Sequence, residues 1–175
     1  MKKFELTAEF VTNVFGKKLF RIKALVAFGD VEKGELGGFI EKEDNLSHDG
    51  NAWVYGNARV SGNARVSGNA RVSGNARVFG NARVSGNAQV SGDARVYDDA
   101  DYAVVKGFGR CFRTTTFFRC KDKILRVQCG CFYGDLAQFR EIVKKTHGDS
   151  KYAKEYLAIA DLMELHFSDE CGGEQ

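Results

Sequence analysis

Residues 57 to 86 read NARVSGNARVSGNARVSGNARVFGNARVSG, one six-residue word written five times with a single internal change at Phe79. Phased as N-A-R-V-S-G, the word runs from Asn51 (NAWVYG) through Asp93 (DARVYD), eight words in 48 residues. Weaker phase partners precede it (NLSHDG, 45 to 50) and follow it (DADYAV, 99 to 104). A period of six fits neither a heptad nor an isolated sheet strand; it fits a parallel β-helix. Inside each word the alternation has period two, which puts Ala and Val inward and Arg and Ser outward. Gly-Asn then turns the corner, because Gly tolerates positive φ and Asn tolerates the left-handed region.

Three words make one triangular coil of 18 residues, so the eight words give nearly three coils. The expected core is a stack of valines from Val54 to Val96 at six-residue intervals, with alanines at the narrow corners. An aliphatic residue followed four later by a small one, as in Val60…Ala64, Val66…Ala70 and Val72…Ala76, resembles the left-handed hexapeptide-repeat β-helix. The resemblance covers roughly residues 45 to 104, and left-handedness is its implication.

A short β-helix exposes strand edges at both ends and needs caps. KFELTAEF and KKLFRIKAL predict two strands joined by a VTNVFG turn, a hairpin cap over residues 1–26. GDVEKGELGGFIEKEDNL predicts an irregular first coil with Val31, Leu36, Ile40 and Leu46 inward, so the β-helix is expected over 27–104. A ββαα module is expected over 105–175. Its hairpin, CFRTTTFFRC and KILRVQCGCF, turns at Lys121-Asp122-Lys123. Asp135 should cap a first helix with Leu136, Phe139, Ile142 and Val143 on one face, ended by Gly148. Asp149 or Ser150 should cap a second with Tyr152, Tyr156, Ile159, Met163 and Phe167 as its stripe. The fold class is mainly β, a left-handed parallel β-helix with two caps.

Words three apart should stack on one face, with outward slots about 4.8 Å apart. One face would carry Arg59, Arg77 and Arg95 beside Ser61, Phe79 and Tyr97. A second would carry Trp53, Arg71 and Gln89 beside Tyr55, and the third Arg65 and Arg83. The outward slots supply no carboxylate to offset like charges at such spacing. Two readings follow. Arg59, Arg77, Arg95, Phe79 and Tyr97 form a ligand site, arginine for phosphate and aromatic ring for base, in an anionic nucleotide or nucleic acid. Alternatively Phe79, Tyr97, Trp53 and Tyr55 form a subunit interface, since β-helix proteins of this kind are commonly trimers packed through their faces. The two are compatible, because a trimer cleft can hold a ligand.

The net charge of +3 is uneven: residues 51 to 98 hold six arginines and two acids, +4, leaving −1 for the rest. No run of about 18 apolar residues exists, so no membrane span is expected. In MKKFELTAEF, Glu5 and Glu9 interrupt any signal-peptide core, so the expected location is the cytoplasm. An odd cysteine count, five, suits a reducing compartment. Cys111, Cys120, Cys129 and Cys131 lack the usual zinc spacing, so no metal and no cofactor are expected. Many proteins of the resembled fold are CoA-dependent acyltransferases with a histidine base on an extruded loop. This repeat has no such loop and no histidine after His48, which reads as an inward capping residue in a boundary word. No catalytic residue is assigned, and an acyltransferase-like enzyme or a structural scaffold stands as the alternative.

Two stretches, RIKALVAFGDVEKGELGGFIEKEDNLSHDGNAWVYGNARV and CGCFYGDLAQFREIVKKTHGDSKYAKEYL, resemble phage- and prophage-encoded hexapeptide-repeat proteins. That family implies a phage accessory protein, a candidate against host defence, with a nucleotide, a nucleic acid or a host protein as partner. It supplies no catalytic residue.

Overall fold

The computed structural model describes residues 1–168. Strands β1 (Phe4–Thr12) and β2 (Lys18–Ala24) form an antiparallel hairpin, and β3 (Leu36–Ile40) follows. Each hexad then contributes one two-residue strand: β4 (Trp53–Val54), β5 (Arg59–Val60), β6 (Arg65–Val66), β7 (Arg71–Val72), β8 (Arg77–Val78), β9 (Arg83–Val84), β10 (Gln89–Val90) and β11 (Arg95–Val96). Strands 18 residues apart pair in parallel, with Arg59 opposite Arg77, Arg77 opposite Arg95, Arg71 opposite Gln89 and Arg65 opposite Arg83. The result is a three-faced β-solenoid. Every valine from Val54 to Val96 and every alanine from Ala52 to Ala94 in the words is fully buried.

The backbone explains the strictness of the word. Gly74 has φ +67°, and a Cβ there would lie 2.9 Å from the nitrogen of Gly92 one coil above. Every corner glycine of the words takes the left-handed conformation, and at Gly74 the bare backbone is needed as well.

Both ends are capped. Phe4, Ile22 and Ala24 of the hairpin join the solenoid core at one end, and Phe118 and Cys120 join it at the other. The hairpin also extends one face: β1, β2, β3, β5, β8 and β11 form a single six-stranded sheet.

The C-terminal module is larger than a hairpin with two helices. The expected pair, β13 (Arg113–Arg119) and β14 (Leu125–Cys129), is flanked by β12 (Tyr102–Phe108) and β15 (Phe132–Asp135) in a four-stranded antiparallel sheet. Helices α1 (Leu136–His147) and α2 (Lys151–His166) pack on it around Phe117, Phe139, Tyr156 and Met163. Asp135 accepts the Gln138 N–H and Ser150 accepts the Ala153 N–H as N-caps. The expected stretch 169–175, with Cys171, lies outside the described residues.

Four expectations are corrected. Residues 99–104 do not continue the repeat. Asp98 and Asp101 accept nearby backbone N–H groups, make a tight turn, and send Tyr102 into β12. NLSHDG is out of phase by two residues, since Leu46 rather than His48 bridges Val66. Asn45 is buried there, donating to the carbonyls of Gly62 and Ala64. Leu36 is exposed, while Val31, Ile40 and Leu46 are inward. Strand β3 meets the solenoid through Gly37 and Gly38, where a Cβ would fall 2.6 Å from the carbonyls of Val54 and Ala58, and Leu36 lies before that contact. In the helices, Ile142 and Tyr152 sit at the margins of their stripes and are partly exposed.

Candidate ligand groove on the arginine face

Three faces of like sequence become three different surfaces because the caps cover them unequally. The second face is closed. The segment after β2 crosses it, and Phe28 and Phe4 meet the Trp53 ring edge-on at 5.4 and 6.2 Å. Trp53 is therefore fully buried and Tyr55 packs against the core, so neither forms the exposed interface expected of them. The outward slot of the first word had become an inner one under the cap. Asp30 from the same segment pairs with Arg71, supplying a carboxylate that the outward slots of the hexads lack. Higher on this face, Ser91 donates to Gln128 and the Gln89 N–H donates to Thr116.

The third face carries exposed Arg65 and Arg83. Tyr102 donates to the Arg83 carbonyl, and Asp99 accepts the Arg83 N–H.

The first face stays open as a groove of about 400 Å³. One wall is the column Arg59, Arg77 and Arg95, continued toward the hairpin by Phe39 and Arg21 in register. Arg21 stacks over the Phe39 ring at 4.3 Å and pairs with Glu9 at 2.8 Å. The second column holds Glu41, Ser61, Phe79 and Tyr97. Phe79 and Tyr97 meet edge to face at 5.4 Å, with Tyr97 more than half exposed. The hairpin tip, with Val14, Phe15 and Lys17, overhangs the lower end above buried Leu19.

The electrostatics are lopsided. Arg59, Arg77 and Arg95 are half-buried, whereas Arg65, Arg71 and Arg83 are exposed. Among the described residues, Arg71 is the repeat arginine that has a carboxylate partner. Nη1 of Arg95 is buried with no hydrogen-bond partner among the described residues. Burial, and then repulsion from Arg77, pull the Arg95 guanidinium below its ordinary value. An arginine so placed remains charged and holds unused donors. At the opposite end Glu41 accepts Lys17 at 3.0 Å and the Gly62 N–H at 2.7 Å. Partial burial raises the Glu41 carboxyl, but the Gly62 N–H and the Lys17 ammonium outweigh it and hold it below its usual range.

The five residues proposed as a ligand site thus share one groove. Lys17, Glu41 and the hairpin tip were missed. The available signal was VTNVFG itself, where a turn carries Val14 and Phe15, both 82% exposed.

The histidines and cysteines lie elsewhere. His48 stacks on Phe4 at 4.3 Å and its Nδ1 accepts the Lys3 N–H at 3.1 Å, a capping contact. Cys120 is buried beneath the C-terminal sheet, and burial raises its thiol. Cys111, Cys129 and Cys131 line a cleft of about 490 Å³ between that sheet and α1, next to His147. Cys129 accepts the Thr115 hydroxyl at 3.1 Å, and the four cysteines are free thiols.

Solenoid and repeat together define the class: this is a repeat β-solenoid protein. The family model described as the YdcK β-solenoid repeat matches residues 52–68, 64–78, 70–86, 76–90 and 88–100, and the chain is similar to it over that span. No curated protein matches the chain. No described helix is long and apolar enough to cross a membrane.

Proposed function

We propose that the chain is a non-enzymatic binding protein that captures a phosphate-bearing anion along Arg59, Arg77 and Arg95. The observation that carries this is a half-buried arginine column, none of whose members forms a salt bridge among the described residues, beside an exposed aromatic pair. Like charges at about 5 Å repel, and a buried donor without a partner is destabilising. A bound anion relieves both. On this reading the chain is a phage accessory protein of the hexapeptide-repeat kind, working in the host cytoplasm. The engagement of His48 in the cap supports a binding role over an acyltransferase.

A second reading, contact with another subunit or a host protein, rests on the exposed Val14, Phe15 and Tyr97. One pair of variants separates the two. With inorganic tripolyphosphate as the probe, Arg77→Ala should weaken binding about ten-fold or more, and Arg65→Ala less than about three-fold. Equal effects of the two variants would refute the groove. If the face is a subunit contact instead, Phe79→Ser, which restores the consensus word, would dissociate the assembly with or without the anion.

A further inference from the structure

Resting on the anion-binding reading above, we infer that the groove takes a single nucleoside polyphosphate whose base presents N–H donors along its edge, guanine above all. The phosphates lie on Arg77 and Arg95, and the base lies in the notch at Ser61, facing Glu41.

Three features converge on this class. The first is extent. A groove of about 400 Å³ falls within the range of small-molecule sites. Its lower end is bounded by Leu19 and the overhanging hairpin tip, whereas a nucleic-acid strand needs a track that continues.

The second is the charge gradient. Arg95, with its orphaned Nη1, lies at one end, and the Glu41 carboxylate lies at the other. They are three rungs apart, about 14 Å at the spacing of paired strands. A phosphate is drawn to the Arg77–Arg95 end rather than to Glu41, whose charge Lys17 offsets, so a ligand with one charged end and one flat end has one favoured orientation.

The third is the shape and chemistry of the notch. The second column changes from Ser61 to Phe79 in one rung, so a small side chain sits below a large ring. Val14 and Phe15 of the tip form the far wall. A flat ring inserted at Ser61 meets apolar surface on both sides, as bases do on aromatic platforms. Glu41 is then the group at the base edge. Its two oxygens accept Lys17 and the Gly62 N–H, and each has a further lone pair. An ionised carboxylate only accepts, so it favours an edge with adjacent N–H donors. Guanine offers N1–H beside its exocyclic amino group. The N–H of uracil lies between two carbonyls that a carboxylate repels.

Calorimetric titration of the full chain with GTP, UTP, tripolyphosphate and a twelve-residue oligothymidylate tests this. At equal phosphate count, GTP should bind at least about ten-fold more tightly than tripolyphosphate and more tightly than UTP. Glu41→Gln should abolish the GTP preference and leave tripolyphosphate binding equal or tighter, which a merely structural role of Glu41 would not produce. If GTP, UTP and tripolyphosphate bind alike and all depend on Arg77, the nucleotide class is overturned while the anion groove stands. Tightest binding by the oligothymidylate would assign the groove to nucleic acid and overturn the inference. If tripolyphosphate itself does not bind, the anion reading falls, and this inference with it.

Discussion

Lys3 is buried to 3% exposure beneath the first coil, where its ammonium donates to the carbonyls of Gly50 and Ala52 and lies 4.6 Å from the Phe28 ring centre. Burial pushes it from 10.5 down to about 8, against an opposing pull from Asp49. The sign of the consequence follows from proton counting. Between about pH 8 and 10.5 the unfolded chain holds a proton that the folded chain has lost, so stability rises with pH across that window. Below about pH 8 both states are protonated and the penalty is constant. Urea denaturation of the native chain and Lys3→Met should therefore diverge from pH 8 to 10.5, the native chain gaining up to about 3 kcal/mol. Parallel curves would show that Lys3 keeps its ordinary affinity for protons. Phe79 provides a second residue-scale test. Its edge-to-face contact with Tyr97 is the main difference from the serine of other words, so Phe79→Ser should lower stability by about 1–2 kcal/mol in the same assay.

At the scale of the element, the solenoid corner separates two causes that the repeat fuses. Gly74 and Gly86 share a φ near +66°, yet a Cβ at Gly74 meets the backbone of Gly92, and at Gly86 it meets nothing within 4 Å. Gly86→Ala should cost about 1–2 kcal/mol, the strain of the left-handed region alone. Gly74→Ala should cost distinctly more, because the rung above must move. Thermal unfolding of both variants measures the difference, and equal midpoints would mean the coils are not packed backbone to backbone. At the other end of the chain, Asp135→Ala removes the cap on α1 and should cost about 1 kcal/mol.

At the scale of the whole molecule, the unequal covering of the faces decides how copies could meet. Trp53 is buried and Tyr55 half-covered, so a homotrimer packed through the aromatic residues of the repeat would form through the first face, with Tyr97 and the hairpin tip in the contact. Light scattering should then give three times the 19.4 kDa chain mass, falling to the monomer mass for Phe79→Ser. A monomer in the native chain would leave the first face as a ligand groove alone.

The solenoid was legible because its cause is local and repeated. A period of six with inward Val and Ala and a Gly-Asn corner specifies one strand and one turn, and eight copies specify the stack. The register that sets Arg77 between Arg59 and Arg95 follows by counting to 18. The helix caps at Asp135 and Ser150 are equally local. What distinguishes one face from another is not local. Asp30 reaches Arg71 across 41 residues, and Lys17 reaches Glu41 across 24. Burial of Trp53 depends on Phe4 and Phe28, which share no period with it. Strands β12 and β15 are a different case, since each pairs with its neighbour in sequence across a short turn. Periodicity determines which side chains point outward. Only the packing of non-repetitive segments against the repeat decides which outward residues meet solvent, since that depends on long-range closure and leaves no mark in the word.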